Sequence, residues 1–201
     1  MKNIVFLLLL SISSCFAVDN DAKYIKKQYF KSYDYEQMGK YSEAIKVLAP
    51  LYNKYPKGYT LNLRFGWLFY LNKNYNNAIK YYENASIINT YALDPKLGLI
   101  RIYLDTYSYT KAESISYQIL KIDYYNYYAN LYLIKSLIAQ SKYDTAQKIT
   151  VKMLNVYPTD VLYLEQLAII YKYKKSPLLN QLYNDILILD PNNVYVRNKL
   201  N

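Results

Sequence analysis

The sequence predicts an all-α fold, a solenoid of about five helix–turn–helix repeats. Three observations carry that expectation. Tyr41, Tyr75, Tyr109 and Tyr143 stand 34 residues apart. Ala44, Ala78, Ala112 and Ala146 keep the same interval, and so do Ser42, Asn76, Thr110 and Asp144. The last set are residue types that cap helix N-termini, so each is expected to open the second helix of its repeat. A fixed period of this length marks stacked supersecondary units, each too small to bury its own apolar face.

The elements follow in order. In the first repeat, a helix from about Tyr24 to Met38 is broken by Gly39. Its partner runs from about Ser42 to Tyr55, ended by Pro56-Lys57-Gly58. The second repeat has helices near Thr60–Leu71 and Asn76–Asn89, and its Gly66, Ala78 and Ala85 leave room for close helix approach. The third opens at Asp94-Pro95, read as a cap followed by proline in the first helical position. Its helices are expected near Pro95–Thr106 and Thr110–Lys121. The fourth uses Tyr127–Gln140 and Asp144–Val156, closed by Pro158. In the fifth, the second helix is expected to start at Ser176-Pro177, and Asn180 replaces the column alanine. A short terminal helix over Asn193–Asn201 would cover the end of the array.

With these columns in place, the chain resembles the tetratricopeptide repeat family, in an exported bacterial form. Repeats on this reading lie near 25–58, 59–92, 93–126, 127–160 and 161–194, so the array spans 25–194. The small-residue column of the first helix reads Ser32, Gly66, Ile100, Ile134 and Ala168, and the aromatic column Tyr35, Phe69, Tyr103, Leu137 and Tyr171. Ile100 and Ile134 depart from the small-residue rule, and the second small position survives only as Ala85. The resemblance implies a right-handed superhelix with a concave groove lined by the first helix of each repeat. Carried onto this chain, it makes Tyr29, Tyr33, Leu63, Trp67, Tyr70, Leu97, Arg101, Leu131 and Lys135 the partner-binding residues. Family members that grip a C-terminal carboxylate do so with Lys and Asn, and here Tyr29, Tyr33, Leu63 and Trp67 hold those places. The implied ligand is therefore a protein or peptide segment with apolar anchors.

Composition narrows the chemistry. The 201 residues are 53% hydrophobic and 20% charged, enough for a continuous core. The chain has no His, and its one Cys is Cys15, which excludes Cys–His and Ser–His–Asp nucleophiles and His- or Cys-ligated zinc. Gly39, Gly58, Gly66 and Gly98 stand alone and form no phosphate-cradling loop. No catalytic residue, metal ligand or cofactor is expected, and the chain reads as a non-enzyme. The formal charge of +10 comes from lysines scattered over solvated faces, densest at Lys23, Lys26, Lys27 and at Lys172, Lys174, Lys175. Nucleic acid is not an expected partner. The sequence leaves open whether its 29 tyrosines serve binding or fill helix faces.

Residues 1–17 have the build of an export signal, with Lys2 before the apolar run Ile4–Ile12 and small residues after it. That run is short of the roughly 20 residues needed to cross a bilayer. Cleavage after Ala17 gives a periplasmic protein with a polar lead-in over 18–24, the array, and a C-terminal cap over 195–201. Alternatively, Ile12-Ser13-Ser14-Cys15 resembles a lipobox, with Cys15 acylated at the outer membrane. A membrane contact is expected only in that case.

Overall fold

The computed structural model describes residues 21–200, and among them every regular element is a helix. The export signal, Cys15 and both cleavage readings lie outside the described residues. The chain forms two compact units, one ending at Thr90 and the other starting at Tyr91. The first contains α1 (residues 21–37), α2 (Tyr41–Lys54), α3 (Tyr59–Leu71) and α4 (Tyr75–Ile88). The second contains α5 (Asp94–Asp105), α6 (Tyr109–Leu120), α7 (Tyr127–Ala139), α8 (Tyr143–Leu154), α9 (Val161–Tyr173), α10 (Leu179–Leu189) and α11 (Val194–Leu200). This is the expected all-α, helix–turn–helix architecture.

The joints between paired helices are made by the backbone. At each one the last turn closes with the same two hydrogen bonds. Lys40, Asn74, Ser108, Lys142 and Ser176 donate their N–H to the carbonyls of Tyr35, Phe69, Tyr103, Leu137 and Tyr171, at 2.8, 2.9, 2.7, 2.8 and 2.9 Å. The residue before each donor bonds back to the second-last carbonyl, as Gly39 does to Glu36 at 2.8 Å. This double bond is a Schellman cap, which requires a left-handed residue just past the helix. That residue is Gly39 (φ 70°), Lys73 (56°), Tyr107 (57°), Ser141 (59°) and Lys175 (52°), again a 34-residue column. Only the first is glycine. The other positions each carry a steric cost of about 1–2 kcal/mol that packing around the turn must offset.

Six expected caps are corrected by this geometry. The helices start on Tyr41, Tyr75, Tyr109 and Tyr143, so Ser42, Asn76, Thr110 and Asp144 lie inside the first turn, and the caps are Lys40, Asn74, Ser108 and Lys142. Of these only the Asn74 side chain reaches an orphan amide, that of Asn77. Asp94 is the first residue of α5, with Leu93 at the cap. Ser176-Pro177 forms its own turn, in which the Ser176 hydroxyl accepts from Leu178 N at 3.3 Å, and α10 begins only at Leu179.

The alanine columns are fully enclosed: Ala44, Ala78, Ala112 and Ala146 are 0% exposed. In the first unit they back a core of Leu48, Leu51, Leu61, Phe65 and Leu68. Tyr81 stacks there on both Phe65 and Phe69, at ring separations of 4.9 and 5.2 Å, and the two phenylalanines are 6.1 Å from each other. In the second unit three clusters run together, because Leu120 packs on two of them and Leu154 on the next pair. Each fully buried Leu or Ile contributes about 1.5–3 kcal/mol relative to exposure. Polar atoms pin α9 to α7: Tyr163 OH donates to the Tyr127 carbonyl (2.7 Å), and Tyr127 OH to Asp160 Oδ2 (2.9 Å). Asp160 in turn caps α9 by accepting from Tyr163 N at 3.1 Å.

Candidate partner-binding face

In the first unit the sequence-predicted residues lie on α1 and α3. Helix α3 carries one charge, Arg64, among mostly apolar residues, and it is buried. A guanidinium cannot be buried unpaired, and this one forms an ion pair with Glu36 of α1. It also donates to Ser32 Oγ at 3.2 Å and lies 3.8 Å from the centre of the Tyr33 ring. Glu36 uses its other oxygen, Oε1, to accept from the Trp67 indole N–H at 2.6 Å. One carboxylate therefore sets both the cation beneath Tyr33 and the orientation of Trp67. Trp67 and Tyr70 are neighbours, with ring centres 5.6 Å apart and a 31° tilt. Tyr33 is 48% exposed, and Tyr29, Leu63, Trp67 and Tyr70 are half-buried. Burial pushes the Tyr29 phenol above its usual range, against a 3.4 Å hydrogen bond with Thr60 Oγ1. The result is an aromatic surface in which a charge-assisted bond orients Trp67 and the paired Arg64 lies against Tyr33, so those two side chains lose little entropy when a ligand lands on them.

In the second unit, Leu97 and Arg101 are half-buried on α5 and Lys135 is exposed on α7. Arg101 Nε donates to the hydroxyl of Tyr132 at 2.9 Å, and Tyr132 stacks on Tyr128 at 6.0 Å. Leu131 is a correction. It is 3% exposed and belongs to the core cluster with Leu133 and Ile134, so it offers a ligand no surface. Arg64, Ser32 and Tyr132 were not among the predicted residues. The available signal for Arg64 was its standing as the lone charge in a mostly apolar helix, which calls for a buried partner.

Elsewhere charges are paired at helix ends. Lys142 and Gln140 both donate to Glu113 Oε2 at 2.8 Å. Burial works to raise the Glu113 carboxyl, but these two bonds and the Lys142 charge outweigh it and hold it below the usual range. Among the described residues there is no group of three or more His, Cys, Asp and Glu placed to hold a metal, and no helix long and apolar enough to cross a membrane.

No protein-family model matches the sequence, and no curated protein is similar to it. Solved structures do match. A tetratricopeptide repeat protein from Parabacteroides merdae superposes with a TM-score of 0.78 at 18% identity, covering 88% of this chain and 70% of its own. The MamA protein of AMB-1 gives 0.67 at 15% identity, covering 88% and 97%. YrrB, a tetratricopeptide repeat protein described as having an unusual peptide-binding site, gives 0.68 at 11% identity, covering 86% and 89%. The chain has the tetratricopeptide repeat fold.

Proposed function

We propose that the protein is a non-enzymatic interaction scaffold, exported to the periplasm, that holds a segment of a partner protein against the first helices of its repeats. The observation that carries this reading is the Tyr33–Trp67–Tyr70 surface, held in place from below by Glu36 and Arg64. Trp, Tyr and Arg are the residues that most often dominate binding energy when a partner desolvates them. Tyr29 and Leu63 extend the patch on the first unit, and Leu97, Arg101 and Lys135 are the counterpart on the second. The ligand chemistry is apolar or aromatic anchors on a helix or extended strand of protein, with no nucleic acid. The peptide-binding site named for YrrB, a protein of the same fold, supports the reading. Lack of His and of any Cys beyond Cys15 supports the absence of catalysis.

A second reading, a lipid-anchored assembly factor at the outer membrane, rests on Ile12-Ser13-Ser14-Cys15. Mass spectrometry of the mature N-terminus separates the two: a start at Val18 means a released protein, and an acylated Cys15 means an anchored one. To test the binding face, the full-length protein is crosslinked in its own cells and captured, beside a Trp67→Ala, Arg101→Glu variant shown by circular dichroism to be folded. Loss of a defined envelope protein from the variant supports the reading. Unchanged capture places the contacts elsewhere.

A further inference from the structure

The second unit contains a cleft of about 570 Å³ between α6, α7 and α8, on none of the residues assigned to the partner-binding face. Its floor is apolar, built from Tyr117 and Leu120 of α6, Leu133 of α7 and Ile149 of α8. Its walls carry three lysines, Lys121 from the end of α6 and Lys148 and Lys152 from α8, and among the described residues no Asp or Glu lines it. The volume falls within the roughly 300–1,000 Å³ of sites that take a ligand.

One wall is fixed by the loop between α6 and α7. Asn130 Nδ2 donates to the carbonyls of Tyr124 (3.1 Å) and Asn126 (2.9 Å), which holds that loop against α7. Lys152 Nζ donates to Asn130 Oδ1 at 2.7 Å and to the Tyr124 carbonyl at 3.3 Å, and it lies 4.0 Å from the centre of the Tyr124 ring. All of these partners are neutral. The ammonium has given up part of its water without gaining a countercharge, and desolvation holds its pKa below the usual lysine range. Of the carboxylates nearby, Glu113 is engaged with Lys142 and Gln140 and Asp123 with the Asn126 amide, while Asp144 pairs with Lys174 and also lies in the field of Lys148, so Lys152 is the cleft cation without a countercharge. An anion entering the cleft would supply the missing charge to Lys152 while covering the apolar floor.

We propose that this cleft is a second binding site, for an acidic peptide segment of a partner protein with an apolar anchor flanked by carboxylates. The arrangement of charge selects this ligand over a lipid. Lys148 and Lys152 are one helical turn apart, about 5–6 Å, and Lys121 comes from a different helix. Charges spread in this way match side-chain carboxylates on successive residues, whereas a fatty-acid or phospholipid headgroup concentrates its charge at one point. Tyr117 and Tyr124, which line the cleft and keep exposed rings, supply aromatic surface of the kind that anchors peptides.

The test uses the full-length protein on an array of short peptides, each holding a Leu-Phe pair flanked by Asp and Glu. A matched array carries Asn and Gln flanks. Acidic peptides are expected to be retained well above the amide set, whose Leu-Phe pair only the aromatic face can hold. Lys121→Glu with Lys148→Glu, both at exposed positions, is expected to weaken binding by about tenfold or more. The milder Lys121→Gln, Lys148→Gln pair should lose less, and the excess of acidic over amide retention should persist with all peptide pairs tested in a Trp67→Ala background, which separates this site from the aromatic face. Equal retention of both arrays, retention unaffected by charge reversal, or no retention of any acidic peptide overturns the proposal. So does binding to phosphatidylglycerol vesicles without binding to acidic peptides.

Discussion

Gly66 of α3 lies so close to Tyr82 of α4 that a methyl group added there would sit 2.6, 2.7 and 2.8 Å from three carbons of the ring. Tyr82 is 3% exposed and has no open side to move into. In the 34-residue register, the pair Gly66/Tyr82 corresponds to Ser32/Leu48, Ile100/Ser116 and Ile134/Thr150. Ser32, Leu48, Ile100, Ser116, Ile134 and Thr150 are all fully buried. Where the first helix is small the second is large, and where the first carries Ile the second carries a hydroxyl that bonds its own backbone, as Ser116 does to Ala112 at 2.8 Å. In these four repeats size is therefore kept across the contact rather than at either position, whereas in the fifth the register pair is Ala168 with the exposed Asn184. Gly66→Ile alone is expected to overpack the contact and cost at least about 1–3 kcal/mol. Tyr82→Ser alone leaves a cavity worth about 3–5 kcal/mol. The double variant recreates the pair of the third repeat and is expected to recover at least about 2 kcal/mol of the summed loss. Urea unfolding followed by the fluorescence of Trp67, the only tryptophan, reads the unit that contains the pair. A double variant whose loss equals the sum of the single losses within about 0.5 kcal/mol refutes the reasoning.

Other outcomes are equally specific. Ser141→Gly and Lys73→Gly relieve left-handed backbone at the joints and should each raise stability by about 0.5–1 kcal/mol in urea titrations, whereas Gly39→Ala should lower it. Asn62 donates to the carbonyls of Pro56 and Gly58, as Asn130 does in its own loop, but its buried Oδ1 has no partner. Residue 84 stands where Lys152 stands relative to Asn130, so Asn84→Lys should satisfy that oxygen and stabilise by about 1 kcal/mol; an unchanged urea midpoint would contradict this. Burial, with Asp160 for Tyr127 and Tyr127 for Tyr163, pushes both phenols above their usual range. A raised folded pKa in an acid means that stability is intact below about pH 10 and falls as pH rises beyond it. Tyr163→Phe should cost about 1 kcal/mol at neutral pH and flatten that alkaline decline. A slope identical to wild type would show that Tyr163 does not carry it.

Much of the fold could be read from the chain because its constraints are side-chain volumes repeated at one spacing. Ala44, Ala78, Ala112 and Ala146 announce close helix contacts, and each is fully enclosed. The helix starts were misplaced because backbone geometry sets them. The left-handed column ends one helix and orients the next, and only Gly39 betrays it by composition. Ile100 and Ile134 look like departures until Ser116 and Thr150 are read against them. The candidate face was legible in part. Tyr33, Trp67 and Tyr70 lie together on α1 and α3 with exposed or half-buried rings. Leu131 was misread because α7 is apolar nearly all round, so periodicity cannot separate its core side from its outer side. The Glu36–Arg64 pair escaped notice because its members come from different helices, a relation no local pattern encodes.

The central claim is that a partner segment lies on the first helices of the repeats. Site-specific photo-crosslinking in the native cells tests it most directly, with a benzophenone side chain placed at Tyr33 or Lys135, and at Ile87 and Ile188 as exposed controls on second helices. The expected result is one defined protein captured from Tyr33 and Lys135 and not from the controls. Capture of that protein from Ile87 or Ile188 alone would contradict the account.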